Sequence, residues 1–293
     1  MENCIMIDQF KKRVSPNIVF IIILLAILLS LQGCRIPCCE SRSYLVLYAF
    51  DAEGRLLAGQ MEQIDSVNVL GRPVLKGRLA GEEVILAESG IGMTNAAMTT
   101  QRLIDKYHPK AVIFSGIAGA IDSSVHIGDI VVCERWITHD YVYHGADGPQ
   151  PRGIGAYSPH EDSVLKLGSF PADSVMLRVA GEIRIDSLAF RTIGNRKPSV
   201  IIGGVGVSGN AFIDNREKRT WLADSFDALV TDMETAAVAQ VCYVNDIPFI
   251  GFRSASDLAG GSGSLSARAE LDLFFEVAAE NSSALVIIFL QSL

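Results

Sequence analysis

The chain has 293 residues, 49% of them apolar and 20% charged, a globular balance with length for one large domain or two small ones. Its formal net charge is -8; the first 33 residues hold three bases (Lys11, Lys12, Arg13) and two acids (Glu2, Asp8), which leaves 22 bases against 31 acids in the remainder. Such a surface repels a phosphate backbone and carries no basic stripe, which excludes nucleic-acid binding and points to a small ligand.

The N-terminal segment differs in kind from the rest of the chain. Lys11-Lys12-Arg13 forms a positive region, and Ile18–Leu31 is almost wholly apolar, the length of a signal-peptide core and short for a membrane span. The run ends in Leu31-Gln32-Gly33-Cys34, which resembles a bacterial lipobox, with Gln32 a less usual residue at its place. Residues 1–33 are therefore expected to be a signal peptide, Cys34 the lipidated residue, and residues 34–43 a linker. The domain at 44–293 would be exported and held on a periplasmic or extracytoplasmic membrane face by acyl chains. An uncleaved single span is the alternative. Cys38-Cys39 lacks the spacing of a zinc site, and Cys133 and Cys242 lie in apolar runs as small hydrophobes.

From Tyr44 short apolar runs alternate with helical patterns. Tyr44–Phe50 reads as a buried strand, and Pro73–Leu79 and Glu83–Glu88 as a strand pair around Ala80-Gly81. Ser89-Gly90-Ile91-Gly92 turns into a helix over Met93–Tyr107 that stops before His108-Pro109. Ala111–Ser115 is a strand ending in Gly116-Ile117-Ala118-Gly119, and Asp129–Cys133 is another. Residues 134–160 read as a long irregular loop, a length usually tied to function. A helix over Ser174–Asp186, a strand over Ser199–Val207, a helix over Asn215–Asp224, a strand over Ala228–Asp232 and a helix over Met233–Asn245 come next. Pro248–Ser254 is the last strand. Leu271–Leu290 is a closing helix, expected on the sheet because Asp272, Glu276 and Glu280 recur at helical spacing. This alternation predicts an α/β fold, a mainly parallel mixed sheet flanked by helices on both faces.

Ligands of such sheets bind at the carboxyl ends of strands. Those ends carry Asp51-Ala52-Glu53, Gly116–Gly119, Ser208–Phe212, Asp232-Met233-Glu234 and Arg253–Asp257. Glycines let a ligand approach backbone amides, and the convergent acids Glu53, Glu234 and Asp257 suit proton transfer and hydroxyl recognition. Asp232 and Asp257 each have a plainer reading as helix N-caps.

Three segments together resemble the 5′-methylthioadenosine/S-adenosylhomocysteine nucleosidases of the nucleoside phosphorylase superfamily: Ala49-Phe50-Asp51-Ala52-Glu53, Val207-Ser208-Gly209-Asn210-Ala211-Phe212-Ile213, and Asp232-Met233-Glu234 with its helix, followed by Arg253-Ser254-Ala255-Ser256-Asp257. The resemblance implies hydrolysis of the N-glycosidic bond of a purine nucleoside. Glu53 would activate water, and Asp257, oriented by Ser256, would protonate the leaving base. Glu234 would accept from the ribose hydroxyls with Met233 against the sugar; Phe212 would stack on the base, and the backbone near Ile213 would read its edge. Gly119 would border the substrate, and His139 would lie in a loop closing the site near a subunit interface. A homodimer and no cofactor are implied.

The chain departs from that pattern at Ala52, at Ile117 (usually a small hydroxyl residue) and at Asn210 (usually Asp, near the base). Gly116–Ala120 instead resembles the plant bark storage proteins. Two alternatives stay open: a phosphorylase, which needs cations beside the ribose to hold a dianion and has only Arg55 near Glu53, and a non-catalytic nucleoside-binding protein. His126, His139, His144 and His160 fit no zinc spacing, so no metal is expected.

Overall fold

A computed structural model describes residues 43–184 and 190–293. The segment expected to form a signal peptide, lipobox and linker lies outside the described residues, apart from Ser43. The first strand, β1 (Tyr44–Tyr48), is flanked by parallel partners on both edges, β4 (Glu82–Glu88) and β5 (Ala111–Ala120). A strand covered on both faces reads as an unbroken apolar run, and its Leu45, Val46 and Leu47 are fully buried. Helix α1 (Asp51–Gln60) follows at once and buries only Glu53, Gly54 and Leu57, too few apolar positions to give a periodic signal. Beyond it, β2 (Glu62–Val69) and β3 (Arg72–Leu79) form an antiparallel hairpin at one edge of the sheet. Helix α2 (Met93–Tyr107) has the expected bounds and buries Ala96, Thr99, Thr100, Leu103 and Ile104, one face at helical spacing.

Twelve strands among the described residues form the main sheet, its path running β12-β7-β14-β15-β5-β1-β4-β3-β2, with β16, β6 and β13 branching from β5. Those strands are β6 (Ile130–Val132), β7 (Arg135–Thr138), β12 (Phe170–Pro171), β13 (Val200–Ile202), β14 (Val205–Ser208), β15 (Ala228–Asp232) and β16 (Phe249–Leu258), with β1–β5 as above. The α/β expectation is borne out: the sheet is mixed, with parallel pairs β1–β4, β1–β5, β16–β5, β14–β15 and β14–β7, and antiparallel pairs at β15–β5 and in the β2–β3–β4 edge.

The departures from expectation have local causes. β5 does not end at Ser115 but runs through the glycines to Ala120, pairing β1 with its first half and β15 with its second. Its other edge meets β16, which likewise continues past Ser254 to Leu258. Residues 134–160 are not a loop. β7 joins the main sheet beside β14; β8 (Val142–Gly145) and β9 (Gly148–Pro151) form a hairpin, and β10 (Ile154–Tyr157) pairs with β11 (Val164–Leu167). Four-residue strands diluted by Gly and Pro carry little sequence signal. The run Ser199–Val207 splits into β13 and β14 because Gly203 and Gly204 (φ 100° and 75°) turn the chain between them.

Helices α3 (Ser174–Glu182), α4 (Arg216–Phe226) and α5 (Thr235–Val244) lie at or near their predicted places. Asp173 caps α3 and Asn215 caps α4 through side-chain oxygens that accept backbone amides. The closing helix α6 (Ala267–Gln291) is long and apolar enough to cross a membrane, yet it packs on β16, β5 and α1, burying Leu285, Val286, Phe289 and Leu290. Its serines reach into the sheet. Ser282 Oγ accepts from Gly116 N (3.1 Å) and lies 2.9 Å from the Phe252 carbonyl, and Ser283 Oγ donates to the Glu53 carbonyl (2.9 Å).

Candidate active site

Strand β1 stops where Ala49-Phe50 leads into α1, and this places Glu53 in the helix's first turn beneath the strand ends. Its carboxylate accepts from Ala49 N (2.6 Å) and from Ile117 N (2.8 Å), so two backbone amides fix both oxygens. Gly116 faces Arg253 across the β5–β16 pair. A Cβ at Gly116 would collide with Arg253 Nη1 and lie 2.6 Å from Glu53 Oε1, so only glycine admits both side chains.

Arg253 is wholly buried and is the hub of the site. Its Nε lies 2.8 Å from Asp232 Oδ2 and donates to Thr235 Oγ1 (2.8 Å); its Nη1 is 3.7 Å from Glu53 Oε1 and its Nη2 4.0 Å from Glu234 Oε2. The guanidinium also stacks on Phe114, 4.1 Å from the ring centroid. Three carboxylates thus surround one cation, and Nη2 has no hydrogen-bond partner among the described residues. A charge within an otherwise apolar strand is the legible signal; the sequence alone places Arg253 at a strand end without giving it a role.

Asp232 fulfils its plainer reading. It accepts from the Glu234 and Thr235 amides at the start of α5, and the hydroxyls of Ser208 and Thr235 also bond to it. Glu234 follows with φ -141° and accepts from Gly92 N (2.8 Å), which ties it to the turn before α2. Asp257 is not a cap. Its Oδ2 accepts from Ser256 Oγ (2.8 Å), while Oδ1 is buried without a partner among the described residues. A Cβ at Gly119 would sit 2.9 Å from Oδ1, so this glycine too makes room for a carboxyl.

These groups open on one cavity of about 520 Å³. Glu53, Ile117, Gly119, Phe212, Ile213, Asp232, Met233, Glu234, Ser256 and Asp257 all line it. Every substrate-contacting residue expected from the sequence therefore shares a single space. Helix α6 adds a stripe that its sequence pattern assigns only to packing: Arg268, Leu271, Asp272 and Phe275. Asn210 is a correction. Its Oδ1 accepts from Met93 N (3.0 Å) at the start of α2, so it holds that helix instead of bordering the cavity. His139 is buried against Gly209, outside the cavity lining, and neither ring nitrogen has a hydrogen-bond partner among the described residues.

Burial sets the proton affinities. It raises the Glu53 carboxyl above its ordinary range, against the pull of Arg253 and the two amides. Glu234 is raised by burial and by Asp232. Asp257 is pushed up to about 7, first by burial, with Ser256 opposing and Glu270 and Asp214 adding to the rise. A carboxyl that keeps its proton near neutrality, with one oxygen free toward a cavity, can serve as a general acid.

A model of the phosphorylase superfamily matches residues 43–291. A 5′-methylthioadenosine/S-adenosylhomocysteine nucleosidase of Staphylococcus saprophyticus is 34% identical over 82% of this chain and 96% of its own. Among solved structures, the nucleosidase of that name from Neisseria meningitidis, in complex with methylthio-immucillin-A, is 29% identical, with a TM-score of 0.71 over 86% of this chain and 100% of that one. Futalosine hydrolase of Helicobacter pylori, 24% identical over 86% of this chain and 99% of its own, has the same fold at a TM-score of 0.71. The chain belongs to the phosphorylase superfamily. Within it, the chain is a member of the 5′-methylthioadenosine/S-adenosylhomocysteine nucleosidase family, and it is an N-glycosidase.

Proposed function

We propose that the protein hydrolyses the N-glycosidic bond of adenosine-type thionucleosides, with methylthioadenosine and S-adenosylhomocysteine as its substrates. The observation that carries this reading is the buried Oδ1 of Asp257, unpartnered among the described residues, in the cavity that Phe212, Ile213, Glu53 and Glu234 also line. The purine lies between Phe212 and Ile213, and Glu234 accepts from the ribose hydroxyls over Met233. Asp257 gives its proton to N7 as the bond from C1′ to N9 breaks and its electron pair moves into the purine. Water held by Glu53 and the unpartnered Arg253 Nη2 attacks C1′ and passes its proton to Glu53.

Water is favoured over phosphate by the charge balance. A dianion needs an uncommitted cation, but Arg253 already faces Asp232, Glu53 and Glu234, and Arg55 is solvent-exposed against Asp51. A protein that only bound nucleosides would gain nothing from a carboxyl held protonated beside the base. The test is turnover of the purified chain on methylthioadenosine, S-adenosylhomocysteine, adenosine and inosine, with and without phosphate. Phosphate-independent release of adenine from the two thionucleosides is expected. Strict dependence on phosphate would make it a phosphorylase, and no turnover on any nucleoside would leave a binding protein.

We also infer an exported lipoprotein anchored through Cys34, on the basis of the basic, apolar and Leu-Gln-Gly-Cys succession at residues 11–34. A homodimer is proposed because Ile91 and Phe212 line the cavity yet are 53% and 44% exposed, apolar surface that a second subunit would cover.

A further inference from the structure

The cavity wall is mostly apolar, and its charged lining is nearly all acidic. Glu53, Asp232, Glu234 and Asp257 line it, and among the described lining residues Arg268 is the one cation. Arg268 opens α6, and its backbone amide donates to Asp214, the residue after Ile213. One turn on, Asp272 pairs with it: Arg268 Nη2 lies 3.0 Å from Asp272 Oδ1. Their side chains are 69% and 58% exposed, in contrast to the buried catalytic carboxyls. The pair therefore stands at the opening of the cavity, on the same helical stripe as Leu271 and Phe275.

Once the base and ribose are assigned, the larger apolar side chains left in the lining are Phe50, Ile91, Ile117, Leu271 and Phe275, and the exposed charges left are this ion pair. A ligand carboxylate entering a cavity of four carboxyls can be matched only at Arg268. A ligand ammonium beside it would be matched by Asp272. A dianion such as a 5′-phosphate would gain Arg268 but meet Asp272 and the acidic interior, so the pair selects a group carrying both signs. A planar guanidinium takes a carboxylate in two parallel hydrogen bonds, and both partners here are exposed enough to reorient without desolvation cost.

We infer that Arg268 and Asp272 form a subsite for a free α-amino acid at the end of a 5′-thioether, with Leu271 and Phe275 packing on the thioether and its methylenes. The inference rests on the thionucleosidase reading above and sharpens it. Of the two substrates proposed, the one ending in an amino acid is recognised by side chains, and the one ending in a methyl group is not.

The experiment is the ratio of kcat/KM on S-adenosylhomocysteine to kcat/KM on methylthioadenosine, measured at low salt for the full wild-type chain and for Arg268→Ala, Asp272→Ala and the double variant. Any loss from folding or from the helix end is common to both substrates and cancels in the ratio. Each single substitution is expected to lower the ratio about 1.5- to fivefold, the range of exposed charge contacts. The double variant is expected to fall by less than the product of the two, because one ligand group bridges both residues. An unchanged ratio in all three variants overturns the subsite. If the wild-type chain cleaves neither nucleoside, the functional reading fails, which is a separate result.

Discussion

Asp257→Asn lowers kcat by about 10²–10⁴-fold, the span of general acid catalysis, with little change in KM. Asparagine can still accept from Ser256 Oγ and fill the same space, but it holds no proton to give to N7. The wild-type rate follows the protonated form. Because burial places this carboxyl at about 7, kcat/KM should fall as pH rises through about 7, and the variant should lack that limb. Stability has a defined sign as well. The carboxyl binds its proton more tightly in the fold than at its ordinary 3.8, so ionising it costs the folded state. That cost is absent below about pH 4, grows as pH rises toward 7 and is full above it. Asparagine escapes it, so the Tm of the variant should gain on wild type across that window. Thermal melts at pH 4 and pH 8 measure the difference; an equal offset at both would show that Asp257 is ionised throughout.

Glu53→Gln has the second large effect, a loss of about 10²–10⁴-fold in kcat together with a lower Tm. Both glutamate oxygens accept from backbone amides, Ala49 N and Ile117 N. A glutamine amide must turn an NH₂ toward one of them, so two donors face each other in a buried place, at a cost of about 1–3 kcal/mol. Arg253 also loses one of its three acidic neighbours. Glu53→Asp separates the two effects: it keeps the charge but withdraws the carboxylate from Ile117 N, so it should retain more stability than activity. Steady-state kinetics and melting curves on the three proteins decide it. A glutamine variant with full turnover would remove Glu53 from the chemistry.

Much of this was legible in the sequence because the constraints are local. The buried run of β1, the glycines at the strand ends and the Asp232-Met233-Glu234 segment each mark a place where only certain residues fit. What escaped was non-local or weakly periodic. Helix α1 buries too few residues to show a stripe, and the short strands between residues 134 and 160 are specified by pairing partners, not by their own composition. Arg253 was visible as a charge within an apolar strand, but its meaning depends on three carboxylates brought from α1, β15 and the start of α5. The same holds for Arg268 and Asp272. The expected helix began at Leu271, which left Arg268 outside it and Asp272 on its charged face; the helix in fact starts at Ala267, and both residues line the cavity. Asn210 differs in the opposite way: the resemblance implied a place near the base, while its side chain accepts from Met93 N at the start of α2 and is absent from the cavity lining.

The central claim is that water, activated at Glu53, replaces a purine that departs with a proton from Asp257. The most direct measurement is cleavage of methylthioadenosine by the wild-type chain in ¹⁸O-labelled water containing phosphate, with the sugar product analysed by mass spectrometry. The account predicts one ¹⁸O at C1 of free methylthioribose and no sugar phosphate. A methylthioribose 1-phosphate product without the label would contradict it.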